Sequence, residues 1–197
     1  VTAEHRAAID AIIEQTKEGL TALQAEIDAA TTVDALKPLC ARIITDFRVY
    51  ALVIPQVNLV LVVDAIESKK ATFTTLRQTL ADAIAAGRTP DNGAKLDELL
   101  ASFDAHVAAM LTAIDGVADD ALVITVDDYN ADKKILKPDV DAVRNARKEA
   151  RGASRDAHQI LEVLQGDDED HEHQHDPEHA TTTTSSVPAP AVTTAIS

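Results

Sequence analysis

VYALVIPQVNLVLVV, residues Val49 to Val63, runs for fifteen residues without a charge in a chain that is 26% charged. Such a run has to be buried somewhere, since leaving it in water forfeits about 25 cal/mol for each Å² of apolar surface. It marks the core and the most constrained backbone, a buried join between two helices bracketed by Arg48 and Asp64. It is too short to cross a bilayer, which takes about 20 residues, so no transmembrane segment is expected. Pro55 interrupts it: proline removes a backbone donor and disfavours helical geometry at Ile54, which predicts a break or sharp kink at that point.

Around this run the composition is that of packed helices. Only three Phe, two Tyr and six Gly occur in 197 residues, while 46% are hydrophobic, so the predicted class is all-α, an antiparallel bundle of four to five long helices. Eighteen Lys and Arg stand against 33 Asp and Glu, a formal net charge of −15, and nucleic acid is excluded as a natural partner. The lone Cys40 excludes an internal disulfide. Its spacing with Leu36, Ile43 and Phe47 predicts a small buried residue on an apolar helix face, with nothing nearby to lower its pKa.

Upstream of the run, Ile9, Ile13, Thr16, Leu20, Leu23, Ile27 and Ala30 alternate at spacings of four and three, a coiled-coil-like seam on a helix over 4–30. Thr31 and Thr32 cap a second helix from Val33 to about Phe47 or Tyr50, which tolerates Pro38 because it falls early. Downstream, a third helix of roughly thirty residues is expected from Gln56 to Gly87, with Lys69 in its inward row. Thr89-Pro90-Asp91 then starts a fourth helix, Thr as N-cap and Pro at the first helical position, carrying Leu96 to Val117 inward. Residues 119–133 read as irregular, with Leu122 to Val126 as a short extended piece. A last helix begins between Asn130 and Pro138 and ends at Gly166, with Val140, Val143, Ala146, Ala150, Ala153, Ala157, Ile160 and Leu164 inward. Its small residues permit close helix approach. The seams suit an intramolecular bundle or a homo-oligomer equally.

Two regions follow from this reading, a bundle over 1–166 and an acidic, His-rich and then Thr/Ser/Pro/Ala-rich tail over 167–197 that is expected to be disordered. The tail resembles the stalks of surface proteins, and the chain starts at Val1 rather than Met. A secreted or surface location, with a leader removed or a fragment taken, is therefore the expectation, with the cytoplasm as the other choice.

Three features carry binding chemistry. His171, His173, His175 and His179, flanked by carboxylates, suit zinc, nickel or copper. Asp128, Asn130, Asp132 and Asp139 place oxygen ligands as in a calcium loop, although Lys133 stands where that loop needs Gly; otherwise Asn130 or Asp132 caps the last helix. Arg144, Lys148, Arg151 and Arg155, with Arg147 beside them, form a basic stripe for an anionic envelope polymer or an acidic partner helix. Alternatively it pairs with Glu14, Glu18, Asp82 or Asp97 of its own bundle. His5, His106 and His158 stand singly and read as surface or satisfied histidines. No Gly-rich phosphate loop, nucleophile in a recognisable setting or helical Glu-x-x-His pair is present, so an enzyme is not expected.

The segment from Asp46 through Phe47-Arg48-Val49-Tyr50-Ala51-Leu52-Val53-Ile54-Pro55 to Gln56, with Asp128-Tyr129-Asn130-Ala131-Asp132 as a second patch, resembles an uncharacterised group of secreted helical proteins from high-GC Gram-positive bacteria. Over residues 1–165 the resemblance implies export and a helical bundle and carries no activity over to this chain. The sequence thus points to a non-catalytic interaction or structural module, with a divalent-metal buffer and a carrier of an apolar small molecule as rivals. For the carrier, the pocket belongs beside Pro55.

Overall fold

The computed structural model describes residues 1–169. The chain over these residues is all-α. Eight α-helices follow in order: α1 (Ala3–Ala29), α2 (Val33–Thr45), α3 (Ile54–Glu67), α4 (Lys70–Gly87), α5 (Gly93–Ile114), α6 (Val117–Val123), α7 (Val126–Ala131) and α8 (Lys137–Glu169). A π-helical turn, Val49–Val53, leads into α3.

The spine is the antiparallel pair α5 and α8. Ala146, Ala153 and Ala157 of α8 are buried against α5, and small side chains let two axes approach closely. Gly152 shows how closely: a Cβ there would lie 2.6 Å from the His106 ring. One half of the core gathers Leu59, Val60 and Val63 of α3, Met110 and Ile114 of α5, the buried residues of α6, and Val143 and Ala146 of α8. The other joins Leu80 and Ile84 of α4 to Leu96, Leu99 and Phe103 of α5 and Ile160 of α8. Phe73 touches both halves, its ring 6.3 Å from that of Phe103.

Several expectations are corrected. Cys40 is exposed, because α2 touches little besides α1 and buries no residue at all. The expected third helix is two helices: Ser68 and Lys69 close a tighter turn, with the Lys69 N–H on the Ile66 carbonyl, and Lys69 is exposed. Leu122 to Val126 is extended only at Ile124 and Thr125. α6 and α7 occupy it and meet at Ile124 and Thr125, where Thr125 caps α7 in a reciprocal box with Asp128. Before α5, Thr89 to Asn92 form a turn in which Thr89 N–H donates to Asn92 Oδ1 and Asn92 N–H to Thr89 Oγ1, so the helix begins at Gly93 rather than at Pro90. α8 runs three residues past the expected stop at Gly166, and Val140 is 39% exposed rather than inward. The expected tail from residue 170 onward lies outside the described residues.

Stretches within Val33–Gly87 and Gly93–Val123 contain windows apolar enough to cross a membrane by length and composition, with mean hydropathy 2.0 and 1.2. In this fold they include α3 and α5, which furnish the core.

Candidate functional site

The site is built on the charge-free run itself. α2 stops at Thr45, and Arg48 takes a left-handed conformation, φ 45° and ψ 33°. A side chain in that region costs about 1–2 kcal/mol, so neighbours have to fix it. They do: Arg48 Nε donates to Asn130 Oδ1 at 2.8 Å, and Asn130 Nδ2 donates to the Thr45 carbonyl at 3.0 Å. Asn130 thereby satisfies one of the carbonyls left open at the end of α2. Tyr129 receives Lys133 Nζ at 4.8 Å and the Arg48 guanidinium at 5.9 Å from its ring centroid. Residues 46–56 and 128–132 meet at this point. Desolvation and the Arg48 charge both push the Lys133 pKa down.

After Arg48, its carbonyl accepts from Ala51, Leu52 and Val53, and Ile54 N–H reaches Val49 O, the wide spacing of a π turn. In an α-helix the Pro55 ring would collide with the carbonyl four residues earlier; the widened turn accommodates it. The break expected at Pro55 therefore falls earlier, at Phe47 and Arg48. Phe47 turns back onto α1, where Gly19 makes room: a Cβ there would lie 2.5 Å from the ring.

Nor is the run wholly buried. Leu52, Val53, Gln56, Leu59, Val60 and Val63 are, but Tyr50 is 87% exposed, Ile54 42% and Leu61 41%. The segment forms part of the wall of three concave sites. The first, about 620 Å³ between α1 and α3, is lined mainly by Ile13, Leu20, Val49, Val53, Ile54 and Val57. The second, about 600 Å³, lies among α1, the end of α2 and the α6–α7 junction and mixes apolar groups with Gln15, Asp46 and Asp127. Gln56, 2% exposed, lies on its wall and donates from Nε2 to the carbonyls of Ala121 and Ile124 at 2.8 and 2.7 Å, which clips α6 to α3. The third, about 520 Å³ between α3 and α8, has an apolar floor that includes Leu59, Val62 and Val140 under Arg144, Arg147 and Arg151.

The calcium-loop residues do not converge. Asp128 accepts from the Thr125 hydroxyl and backbone N–H, and these bonds lower its pKa. Asn130 binds Arg48 and Thr45 rather than capping α8, and Asp132 accepts from the Lys134 N–H. Asp139 sits in the first turn of α8, its pKa raised by burial and by the charge of Asp120. Among the described residues no group of three or more His, Cys, Asp or Glu side chains is arranged to hold a metal. His171, His173, His175 and His179 lie outside those residues.

In the basic stripe Arg144, Lys148, Arg151 and Arg155 are all exposed, and Arg144 pairs with Asp141 of its own helix. None of them reaches Glu14, Glu18, Asp82 or Asp97; Asp97 pairs with Arg88, and Glu14 with Lys17. Arg144 and Arg151 face the third groove together with Arg147, while Lys148 and Arg155 do not line it.

Two histidine sites join distant segments. His5 Nδ1 lies 2.6 Å from the buried carboxylate of Asp64, and Nε2 lies 3.3 Å from Asp119. Burial opposes the charged ring, but these carboxylates outweigh it and raise the His5 pKa. His106 Nδ1 lies 2.6 Å from Glu149, and Asp156 Oδ2, buried without a hydrogen-bond partner, is 3.8 Å from Nε2. Both histidines are satisfied as expected, and His158 is exposed. Comparison of the chain with family models, with curated proteins and with solved structures finds no match.

Proposed function

We propose that this chain is a non-catalytic, exported helical interaction module that engages a macromolecular partner through the apolar groove between α1 and α3. One observation carries this reading: Ile13, Leu20, Val49, Val53, Ile54 and Val57 line a concave surface of about 620 Å³ that no element among the described residues fills. Ile13 and Ile54 are 44% and 42% exposed, and the neighbouring Tyr50 projects at 87%. A contiguous apolar surface rimmed by polar residues, here Lys17, Gln24 and Asn58, marks a contact site, and a projecting Tyr is a frequent anchor at interfaces. Export rests on the composition of the tail and on the resemblance of residues 46–56 and 128–132 to secreted proteins.

A photo-crosslinking residue at position 50 tests the reading in the producing cell. The expected result is a discrete adduct that is absent when the same group replaces Gln159, on the exposed face of α8. Identical, diffuse products from both positions refute it.

The volume and apolar lining of the groove also favour a second reading, a carrier of an apolar small molecule, since such pockets run about 300–1,000 Å³. Native mass spectrometry of the purified chain distinguishes the two: a carrier retains a small discrete mass, and a clean mass of the chain alone counts against it.

A further inference from the structure

The groove on the other side of α3 has a different chemistry. Its floor is aliphatic, including Leu59, Val62, Val140 and Val143, its wall is Arg144, Arg147 and Arg151, and among the described residues no acidic side chain lines it. That is unusual in a chain with 33 carboxylates and 18 basic side chains. Several other guanidinium groups find carboxylates: Arg42 binds Glu26 and Asp46, Arg77 binds Asp104, and Arg88 binds Asp97, while Arg155, outside the groove, forms no ion pair among the described residues. Arg147 and Arg151 form no ion pair among the described residues, and Arg144 has only Asp141 of its own helix. Residues four apart on a helix are neighbours, so Arg147 and Arg151 can close on one anion. The planar guanidinium fork matches an oxyanion with two parallel hydrogen bonds, which an ammonium does not. Val140, 39% exposed at the start of α8, is apolar surface that the fold itself leaves uncovered.

We propose that this groove binds a single-chain anionic amphiphile, its terminal oxyanion on Arg147 and Arg151 and its chain along the floor formed by α3 and α8. Three features of the groove select this ligand class over its neighbours. A bare anion leaves the aliphatic floor exposed, a neutral chain leaves the two arginines without a partner, and about 520 Å³ suits one chain rather than a two-chain lipid. Carboxylate and phosphate heads share the required chemistry.

The test is calorimetric titration of the full chain with decanoate, decyl phosphate, decanol, acetate and inorganic phosphate, each below any micelle concentration. Decanoate, decyl phosphate or both should bind, with decanol, acetate and phosphate each at least tenfold weaker. The stronger of the two amphiphiles names the head group. Arg147→Gln/Arg151→Gln, at exposed positions where folding is preserved, should weaken the amphiphile at least tenfold, and Val140→Ser should weaken it severalfold. Ile13→Asn, which alters only the groove between α1 and α3, should leave it unchanged, so this site and the partner-binding groove fail independently. Decanol binding as tightly as the acids overturns the role of the arginines. Acetate or phosphate binding as tightly as the chain-bearing acids overturns the role of the floor, and no binding by either amphiphile overturns the proposal.

Discussion

Gln56→Leu is the most direct test of how the charge-free run organises the molecule. Gln56 is 2% exposed, and its amide is the donor to both Ala121 O and Ile124 O. Leu matches the volume closely, so no large cavity opens and the cost comes from the two lost hydrogen bonds. Each contributes about 1 kcal/mol net, and a buried carbonyl left without a donor costs a further 1–3 kcal/mol or so. The Ala121 carbonyl is in a fully buried environment, whereas the Ile124 carbonyl is partly open and can recruit water. With water replacing the donor at Ile124, the Ala121 side carries the cost, and the expected destabilisation is about 2–4 kcal/mol, a fall in Tm of about 10 °C for a domain of this size. Urea and thermal denaturation measure it, with Asn58→Ala, two residues on and exposed, as a control expected to change stability by less than about 0.5 kcal/mol. Hydrogen exchange should speed up first in residues 117–131, since the lost contacts join that segment to α3. Gln56→Glu should cost more than Gln56→Leu at neutral pH, because a carboxylate would face two carbonyls in a buried site, and the excess should shrink as acid protonates it. If Gln56→Leu loses no more stability than Asn58→Ala, the clip has no energetic role and the reasoning is wrong.

The His5 pKa is raised above its ordinary value of 6.5, so the contribution of the pair with Asp64 is fully present below that value and lost as pH rises through the folded pKa. The stability difference between the parent chain and His5→Ala, about 2 kcal/mol at pH 5.5, should narrow by pH 8.5; a difference that grows with pH contradicts the assignment. Gly152→Ala should cost about 1–3 kcal/mol, since the new Cβ would lie 2.6 Å from the His106 ring and drive it off Glu149. In a double-mutant cycle His106→Ala should remove most of that cost, and strict additivity would show that the ring is not what Gly152 accommodates. Asn130→Ala should cost about 1 kcal/mol and raise amide exchange across residues 46–53, because the side chain joins Thr45 to Arg48. Unchanged exchange there would mean that Arg48 keeps its conformation unaided.

The long helices were legible because periodicity reports them directly. Leu96, Leu99, Phe103, Met110 and Ile114 are all buried on α5, and Ala146, Ala153, Ala157 and Ile160 on α8, as the spacing predicts. What failed are places where a local signal met a tertiary competitor. Leu122 to Val126, rich in β-branched residues, reads as one extended piece, yet the Thr125–Asp128 box and the Gln56 clip leave only Ile124 and Thr125 extended between two helices. Pro55 reads as a helix break, yet a π turn absorbs its ring and the break moves to Arg48, a residue whose left-handed conformation no sequence propensity suggests. Asp128 and Asn130 have the types and spacing of calcium ligands, but both find partners within the fold.

The candidate site was only half legible, for a related reason. An apolar seam tells which face of a helix avoids water, not which neighbour covers it. On α1 the alternation assigns Ile9, Ile13 and Leu23 to one core. The structure buries Ile9 and Leu23 and leaves Ile13 44% exposed, because α1 packs mainly on α2, the π turn and α6, and a groove separates Ile13 from α3. The uncovered Ile13 then lines the groove with Ile54 and Val57. The basic stripe behaves likewise: spacing groups Lys148 and Arg155 with Arg144 and Arg151, but the direction in which α3 crosses α8 selects Arg147 instead and leaves the two others outside. In both grooves the lining residues are those that helical periodicity marks as core or as solvated face and that helix placement sets in a concave surface instead. An apolar side chain without a covering helix, or an arginine without a carboxylate, is therefore where binding is to be sought in this fold.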